Sequence, residues 1–259
     1  MNVPTMADMM AQGKQPEVLF WVGAAGSYDD RAKKITKAFV KILNMANVDF
    51  AVLGTEESST GDAAKRAGNE FLFQMQAMMN IEVLNGYEVK TIVTCDPHSF
   101  NTLKNEYPEL GGKYTVFHHT QFISKLIKDG RLSIDDANLK GKRLTYHDPC
   151  YLGRANDVYE TPRQLIQRLG VKMTEMKRNK STALCCGAGG AQMFKEPEKG
   201  DKDINILRTE DALETNPQII ATGCPYCNTM MTDGVKFKEK EAQIVVKDIA
   251  ELIAEANNL

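Results

Sequence analysis

IVTCDPHSFNT, residues 92–102, lies over IATGCPYCNT, residues 220–229, around a shared proline, with one residue inserted after Ser99. Upstream of both stretches the spacing repeats as well. Ala24 to Ser59 is 35 positions, and Cys150 to Cys185 is also 35. Gly61 follows Ser59 and Thr60 as Gly187 follows Cys185 and Cys186. Internal similarity of this kind means two copies of one structural unit. On this register Ala24, Ser59, Thr60, Asp96 and Ser99 take the places of Cys150, Cys185, Cys186, Cys224 and Cys227. Only the second copy keeps its thiols.

Each copy alternates strand with helix. After a polar leader, EVLFWVGAAGS (17–27) is a compact apolar run ending in small residues, a buried strand entering a tight turn. DDRAKKITKAFVKILNMAN spaces Ile35, Phe39, Ile42, Leu43 and Met45 as a helix does, with lysines on the other face. VDFAVLG (48–54) is a strand. One helix or two follow, ending at Asn85-Gly86, with Met75, Met78 and Met79 at helical spacing as core filling. VKTIVTC (89–95) is a strand, then come a turn at Asp96-Pro97 and a helix holding Phe100, Leu103 and Tyr107. In the second half KRLTYHDPC (142–150), VKMTEM (171–176) and QIIATG (218–223) are strands, interleaved with helices at TPRQLIQRLG and INILRTEDALETN. A strand and helix through YTVFHHTQFISKLIKDG join the halves, and the polar segment 134–141 marks the boundary. The expected fold class is α/β: two tandem pseudo-symmetric modules, 17–138 and 139–259, each with a small, mainly parallel sheet flanked by helices.

Composition narrows the function. The 259 residues are 42% hydrophobic and 25% charged, which is globular rather than disordered. With 32 basic and 34 acidic residues the net charge is -2, so no nucleic-acid partner held by phosphate contacts is expected. No apolar run approaches the length that crosses a bilayer, and MNVPTMADMMAQGKQPE lacks the pattern of a signal peptide. The expected location is cytoplasmic, with no direct membrane insertion and any membrane link made through a partner.

Cysteine usage is uneven. Of six cysteines, only Cys95 lies in the first 149 residues. The other five form C-x34-C-C-G-x36-C-P-Y-C, from three loops, of which the first and last follow expected strands directly. In a reducing compartment such clustering points to metal ligation or redox chemistry. Thiolates suit soft metals, and Fe–S clusters are bound mainly through cysteine. Adjacent cysteines are unusual for tetrahedral zinc, and five thiols exceed what it needs. Gly187, Gly189 and Gly190 would let backbone amides approach the sulfurs. Without G-x-x-x-x-G-K-[ST] or G-x-G-x-x-G, this loop is not a nucleotide site.

HDPCYLGR (147–154), CCGAGG (185–190) and GCPYC (223–227) resemble the cysteine-rich CCG domain of the heterodisulfide reductase catalytic subunit, the glycolate oxidase iron–sulfur subunit and related Fe–S oxidoreductases. The resemblance covers almost the whole chain from Glu17, because family members carry the module in tandem. It implies that an intact copy holds a noncubane [4Fe-4S] cluster, with zinc in some copies elsewhere. Carried over residue by residue, it implies Cys150, Cys185, Cys186, Cys224 and Cys227 as the metal ligands. The first half departs from the pattern. WVGAAGS resembles a family segment with cysteine at Ala24, EESSTGD one with cysteine near Ser59, and CDPHS a CPHC stretch in which Asp96 and Ser99 replace both thiols. Cys95 is one position off, so the first module is expected to be a scaffold without a cluster.

Other residues divide between functional and structural roles. His147, three residues before Cys150, either supports the cofactor or relays a proton, or is structural. Arg154 either places positive charge near an anionic cluster or is a solvated surface residue. His118-His119 and Cys95 are expected to be structural. The chain shows no ferredoxin-type cysteine run and no flavin fingerprint. The resemblance therefore implies a redox subunit that works beside a ferredoxin-domain Fe–S protein, a flavoprotein or a membrane cytochrome, with no catalytic residue assigned. Two rivals stand beside this expectation: a thiol–disulfide reductase subunit of the heterodisulfide type, and a zinc-binding structural module. Aerobic purification is expected to strip iron and admit zinc.

Overall fold

A computed structural model of the chain describes residues 3–135, 138–196 and 199–259. It divides into two compact units, Met1–Leu132 and Ser133–Leu259. Part of the expected boundary segment, residues 136–137, lies outside the described residues.

The first unit runs α1 (Met6–Ala11), β1 (Val18–Trp21), α2 (Gly23–Tyr28), α3 (Ala32–Met45), β2 (Phe50–Ala51), α4 (Asp62–Arg66), α5 (Glu70–Gly86), β3 (Thr91–Thr94), α6 (Pro97–Asn101), β4 (Thr115–His118) and α7 (His119–Lys128). The second runs β5 (Arg143–Tyr146), α8 (Glu160–Arg168), β6 (Lys172–Met173), α9 (Ile204–Leu213), β7 (Ile219–Thr222), α10 (Pro225–Phe237), β8 (Val245–Asp248) and α11 (Ile249–Ala256). Each unit holds one four-stranded sheet, ordered β2-β1-β3-β4 and β6-β5-β7-β8, and every pairing is parallel. β1 and β7 are buried along their whole length, as strands covered by helices on both faces must be.

The repeat extends to the register. Leu19 opposite Ile92 and Phe20 opposite Val93 are the equivalents of Thr145 opposite Ile220 and Tyr146 opposite Ala221. That register puts Ala24 where Cys150 stands, Asp96 where Cys224 stands and Trp21 where His147 stands. Gly61 (φ 85°) and Gly187 (φ 91°) share the left-handed backbone that the equivalent loops require.

Three expectations change. The small residues after β1 do not form a plain turn, because the chain reverses at Gly23 (φ 78°) and GAAGSY coils directly into α2. The expected turn at Asp96-Pro97 is a helix start with proline in the first turn, where its missing N–H costs nothing, and Cys224-Pro225 begins α10 in the same way. Met75, Met78 and Met79 are not core: they are 46%, 60% and 59% exposed, beside an exposed Phe71. α5 is apolar on both sides, and it buries the other face through Phe73, Ala77, Ile81 and Leu84.

Candidate metal centre

In an order such as β6-β5-β7-β8 the chain leaves the central strands in opposite directions, and ligands collect at the carboxyl ends of the strands at that switch point. Here the switch lies between β5 and β7. The loop after β5 carries Cys150, and Cys224 sits directly beyond β7 at the head of α10, with Cys227 in its first turn. The long loop between β6 and α9 returns Cys185 and Cys186 to the same place.

The thiols meet there. Cys227 Sγ lies 3.3 Å from Cys186 Sγ. Cys186, Cys224 and Cys227 are buried in one cluster with Ala188, against which Cys185, Met193, Tyr226 and Met230 pack. Cys150 and Cys185 keep some exposure. The Gly187 N–H donates to Cys185 Sγ at 3.3 Å. A side chain at Gly187 would collide with Ile204, so the left-handed turn and the space both demand glycine.

So many thiols in one apolar pocket cannot all ionise unaided. Thiol hydrogen bonds from Cys150 and Cys186, helped by the Gly187 amide, pull Cys185 far below the ordinary thiol range. Hydrogen bonding to Cys185, with burial and its negative charge behind it, pushes Cys150 and Cys186 up, and hydrogen bonding to Cys186 and Cys224 pushes Cys227 up. The pocket thus favours the thiolate of Cys185 and disfavours those of Cys150, Cys186 and Cys227 unless a cation is bound. That donor set, all sulfur and largely dry, fits a soft metal or an Fe–S cluster.

Ion pairs hold the loops. Asp148, buried two residues before Cys150, accepts two bonds from the Arg163 guanidinium on α8, at 2.7 and 2.9 Å. Arg163 also binds Glu175, and the second Asp148 oxygen accepts the Lys180 N–H at 2.8 Å. Arg154 is exposed and donates to the Ala183 carbonyl at 2.5 Å, bracing the chain just before Cys185. Gly189 and Gly190 lie in the same loop, with Gly190 at φ 66°.

His147 is fully buried. A ring nitrogen of His147 and the sulfurs of Cys186 and Cys227 lie within 4.8 Å of one another. Burial, with Arg208 beside it, pulls the imidazole down to about 3, so the ring is neutral. Arg208 and Asp148 escaped sequence analysis because nothing local distinguishes them from surface charges.

The first unit shows the contrast. Ala24 and Ser59 are exposed, while Thr60, Asp96 and Ser99 are buried. Asp96 caps α6 by accepting from the His98 and Ser99 N–H groups. Cys95 is buried at the end of β3. His118 caps α7 and pairs with Thr120 Oγ1 at 2.7 Å, and burial pulls its neighbour His119 down to about 3.

A family profile described as a cysteine-rich domain, CCG, matches residues 18–104 and 144–232. The chain belongs to the CCG family of cysteine-rich domains. Three curated relatives carry the same tandem region. One is "Probable iron-sulfur-binding oxidoreductase FadF" of Bacillus subtilis, 48% identical over 98% of this chain and 36% of that protein. Another is EtfAB:quinone oxidoreductase of Syntrophomonas wolfei, 44% identical over 98% of this chain and 36% of that protein. A third is one component of the dihydromethanophenazine:CoB–CoM heterodisulfide reductase of Methanosarcina barkeri, 34% identical over 94% of this chain and 59% of that protein. The CCG chain thus spans about a third of the first two relatives and three-fifths of the third. Among its described residues no helix is long and apolar enough to cross a membrane.

Proposed function

We propose that the second module, 139–259, holds one [4Fe-4S] cluster of noncubane type on Cys150, Cys185, Cys186, Cys224 and Cys227, as an electron-transfer subunit of an oxidoreductase. The observation that carries this reading is the convergence of the thiols at the switch point of one sheet. A bound cluster would supply one-electron storage. The protein's part is to bury the sulfurs, to aim the Gly187 N–H at Cys185, and to fix both flanking loops through Asp148 and Arg154. Gly189 and Gly190 keep side chains out of the loop that follows the cysteine pair.

A groove of about 640 Å³ lies against this site, bordered by Gly187, Met193, Ile204, Asn205, Met230 and Asp233. It offers a docking route to the cluster for a redox partner. The names of the relatives, which include EtfAB:quinone oxidoreductase and a component of a heterodisulfide reductase, support work beside other redox proteins. The partner of this reading is a ferredoxin-domain Fe–S protein, a flavoprotein or a membrane cytochrome. Through such a partner the chain would sit on the cytoplasmic side, peripheral to a membrane. The first module, 17–138, serves as a scaffold without a cluster.

The test is anaerobic purification with iron and sulfide. The expected result is a brown protein with about four iron and four sulfide per chain and one paramagnetic site after one-electron reduction by dithionite. A colourless, zinc-loaded protein from the same preparation would overturn the reading. Robust two-electron turnover of small disulfides by the isolated chain would favour the disulfide reductase instead.

A further inference from the structure

Arg208, on α9, has no exposed surface, and a buried guanidinium must find partners. Its Nη1 donates to the Arg178 carbonyl at 2.6 Å and faces Asp211 Oδ2 at 3.4 Å. Asp211 is itself clamped by Arg178, at 2.6 and 2.8 Å. The Arg208 Nε donates to His147 Nδ1 at 3.0 Å. A guanidinium has only donors to give. Nδ1 is therefore the lone-pair nitrogen of the ring, and the proton of the neutral imidazole sits on Nε2.

That assignment decides between two roles for a histidine beside cysteines. A histidine that ligates a metal through Nε2 needs its lone pair there, and it donates its Nδ1–H to a carboxylate or carbonyl. Here the group at Nδ1 is the opposite kind, a permanent donor. Nε2 is buried and has no hydrogen-bond partner among the described residues. A ring nitrogen of His147 lies within 4.8 Å of the Cys186 and Cys227 sulfurs, and Nδ1 is taken by Arg208.

We propose that Arg208 is a positioning residue that fixes the His147 Nε2–H on the side of the Cys186 and Cys227 sulfurs, as a donor available to a bound cluster, and keeps the ring from becoming a metal ligand. The proposal rests on the reading of those cysteines as cluster ligands. It deepens that reading by giving one shell of the site a fixed polarity: hydrogen bonds to sulfur tune the reduction potential of a cluster. In the first module Trp21, whose indole Nε1 is also only a donor, occupies the equivalent position.

The experiment uses the full chain labelled with nitrogen-15 histidine, in which only four histidines contribute signals. In the metal-free protein, long-range proton–nitrogen spectra are expected to show His147, identified by its loss in His147→Gln, as the Nε2–H tautomer. Arg208→Lys, which keeps a donor and no acceptor, is expected to retain that tautomer. Arg208→Met is expected to lose it in favour of a mixture. A wild-type Nδ1–H tautomer, or no change in Arg208→Met, would overturn the proposal, and the wild-type spectrum decides even if Arg208→Met fails to fold. In the iron-loaded protein, pulsed electron paramagnetic resonance is expected to show only weak nitrogen coupling. A strongly coupled, coordinated nitrogen would overturn it equally. Should the tautomer be as expected while no iron binds, the cluster reading fails and the donor assignment stands for the thiols alone.

Discussion

The two modules solve one backbone problem in opposite ways. Beyond β3, Asp96 accepts the His98 N–H at 2.9 Å, the Ser99 N–H at 3.2 Å and the Ser99 hydroxyl at 2.7 Å, so α6 begins fully capped. Beyond β7, Cys224 holds the same place ahead of α10 and makes no side-chain cap bond. Beyond β1, the Val22 and Gly23 amides are taken by the Glu57 carboxylate, at 2.9 and 2.6 Å. Beyond β5, Gly23's counterpart is Pro149, which has no N–H to offer. The first module satisfies these strand-end amides internally, although Trp21 Nε1 at the end of β1 is buried without a partner among the described residues. The second leaves His147 Nε2, Arg208 Nη2 and Asn228 Oδ1 buried without partners among the described residues. Buried polar atoms left open around a thiol cluster are the mark of a site built for something else to complete it.

Loss of the cofactor is the largest effect expected. Cys185→Ser or Cys224→Ser should abolish or strongly perturb cluster loading, because hard oxygen donors suit an Fe–S cluster poorly. Cys95→Ser should leave iron content unchanged. Iron and sulfide analysis of anaerobic protein checks both, and equal loss from Cys95→Ser would break the division between the modules.

Next comes the ion pair that ties down the Cys150 loop. Arg163→Met leaves Asp148 buried and uncompensated, and should destabilise the metal-free second module by about 3–5 kcal/mol. Arg163→Met combined with Asp148→Asn should recover part of that loss, since the pair then leaves no unpaired buried charge behind. Urea unfolding of the single and double variants measures the difference. If the single variant is as stable as wild type, the pair does not hold the loop.

That pair also shows what one sequence can and cannot reveal. The parallel architecture was legible because strand and helix periodicities are local, and the cysteine spacing because five rare residues recur in one register. Arg163, Arg208 and Asp148 were not, because their partners come from other elements: His147 and Arg208 are 61 positions apart. No local pattern separates a buried arginine from a solvated one. The methionines of α5 failed for a different reason. Periodicity finds an apolar face, but α5 has two, and only packing decides which one the sheet covers. The short α2 was hidden because its small residues fit a turn as well as a helix.

The cap comparison gives a smaller effect with opposite signs in the two modules. Asp96→Ala should cost about 1–2 kcal/mol, the usual worth of an N-cap. Cys224→Asp should stabilise the metal-free chain by about 1 kcal/mol by supplying the cap that α10 lacks, while destroying cluster binding. Thermal unfolding of the metal-free variants, followed by circular dichroism, checks both signs. If Cys224→Asp is neutral or destabilising, the second module does not give up a cap for its ligand.

The smallest effect concerns Glu57, the carboxylate that fills the first module's strand-end amides. Burial raises its pKa from 4.5 to about 7, against the two N–H donors, which favour the charged form. A carboxyl whose folded pKa lies above its unfolded value takes up a proton on folding. Its contribution is therefore most favourable below pH 4.5 and is lost as pH rises through 7. Because Glu57 is only half-buried, the loss should be on the order of 1 kcal/mol rather than the full linkage value. Glu57→Gln removes the titration and keeps one oxygen to accept from Val22 or Gly23. The expected outcome is a flatter stability profile between pH 4.5 and 7 for the variant, measured by urea midpoints across that range. A wild-type profile that rises through the window, or one that Glu57→Gln leaves unchanged, would show that the amides hold an ordinary carboxylate. The first module's strand end would then be a plain anion cradle and not a neutral plug.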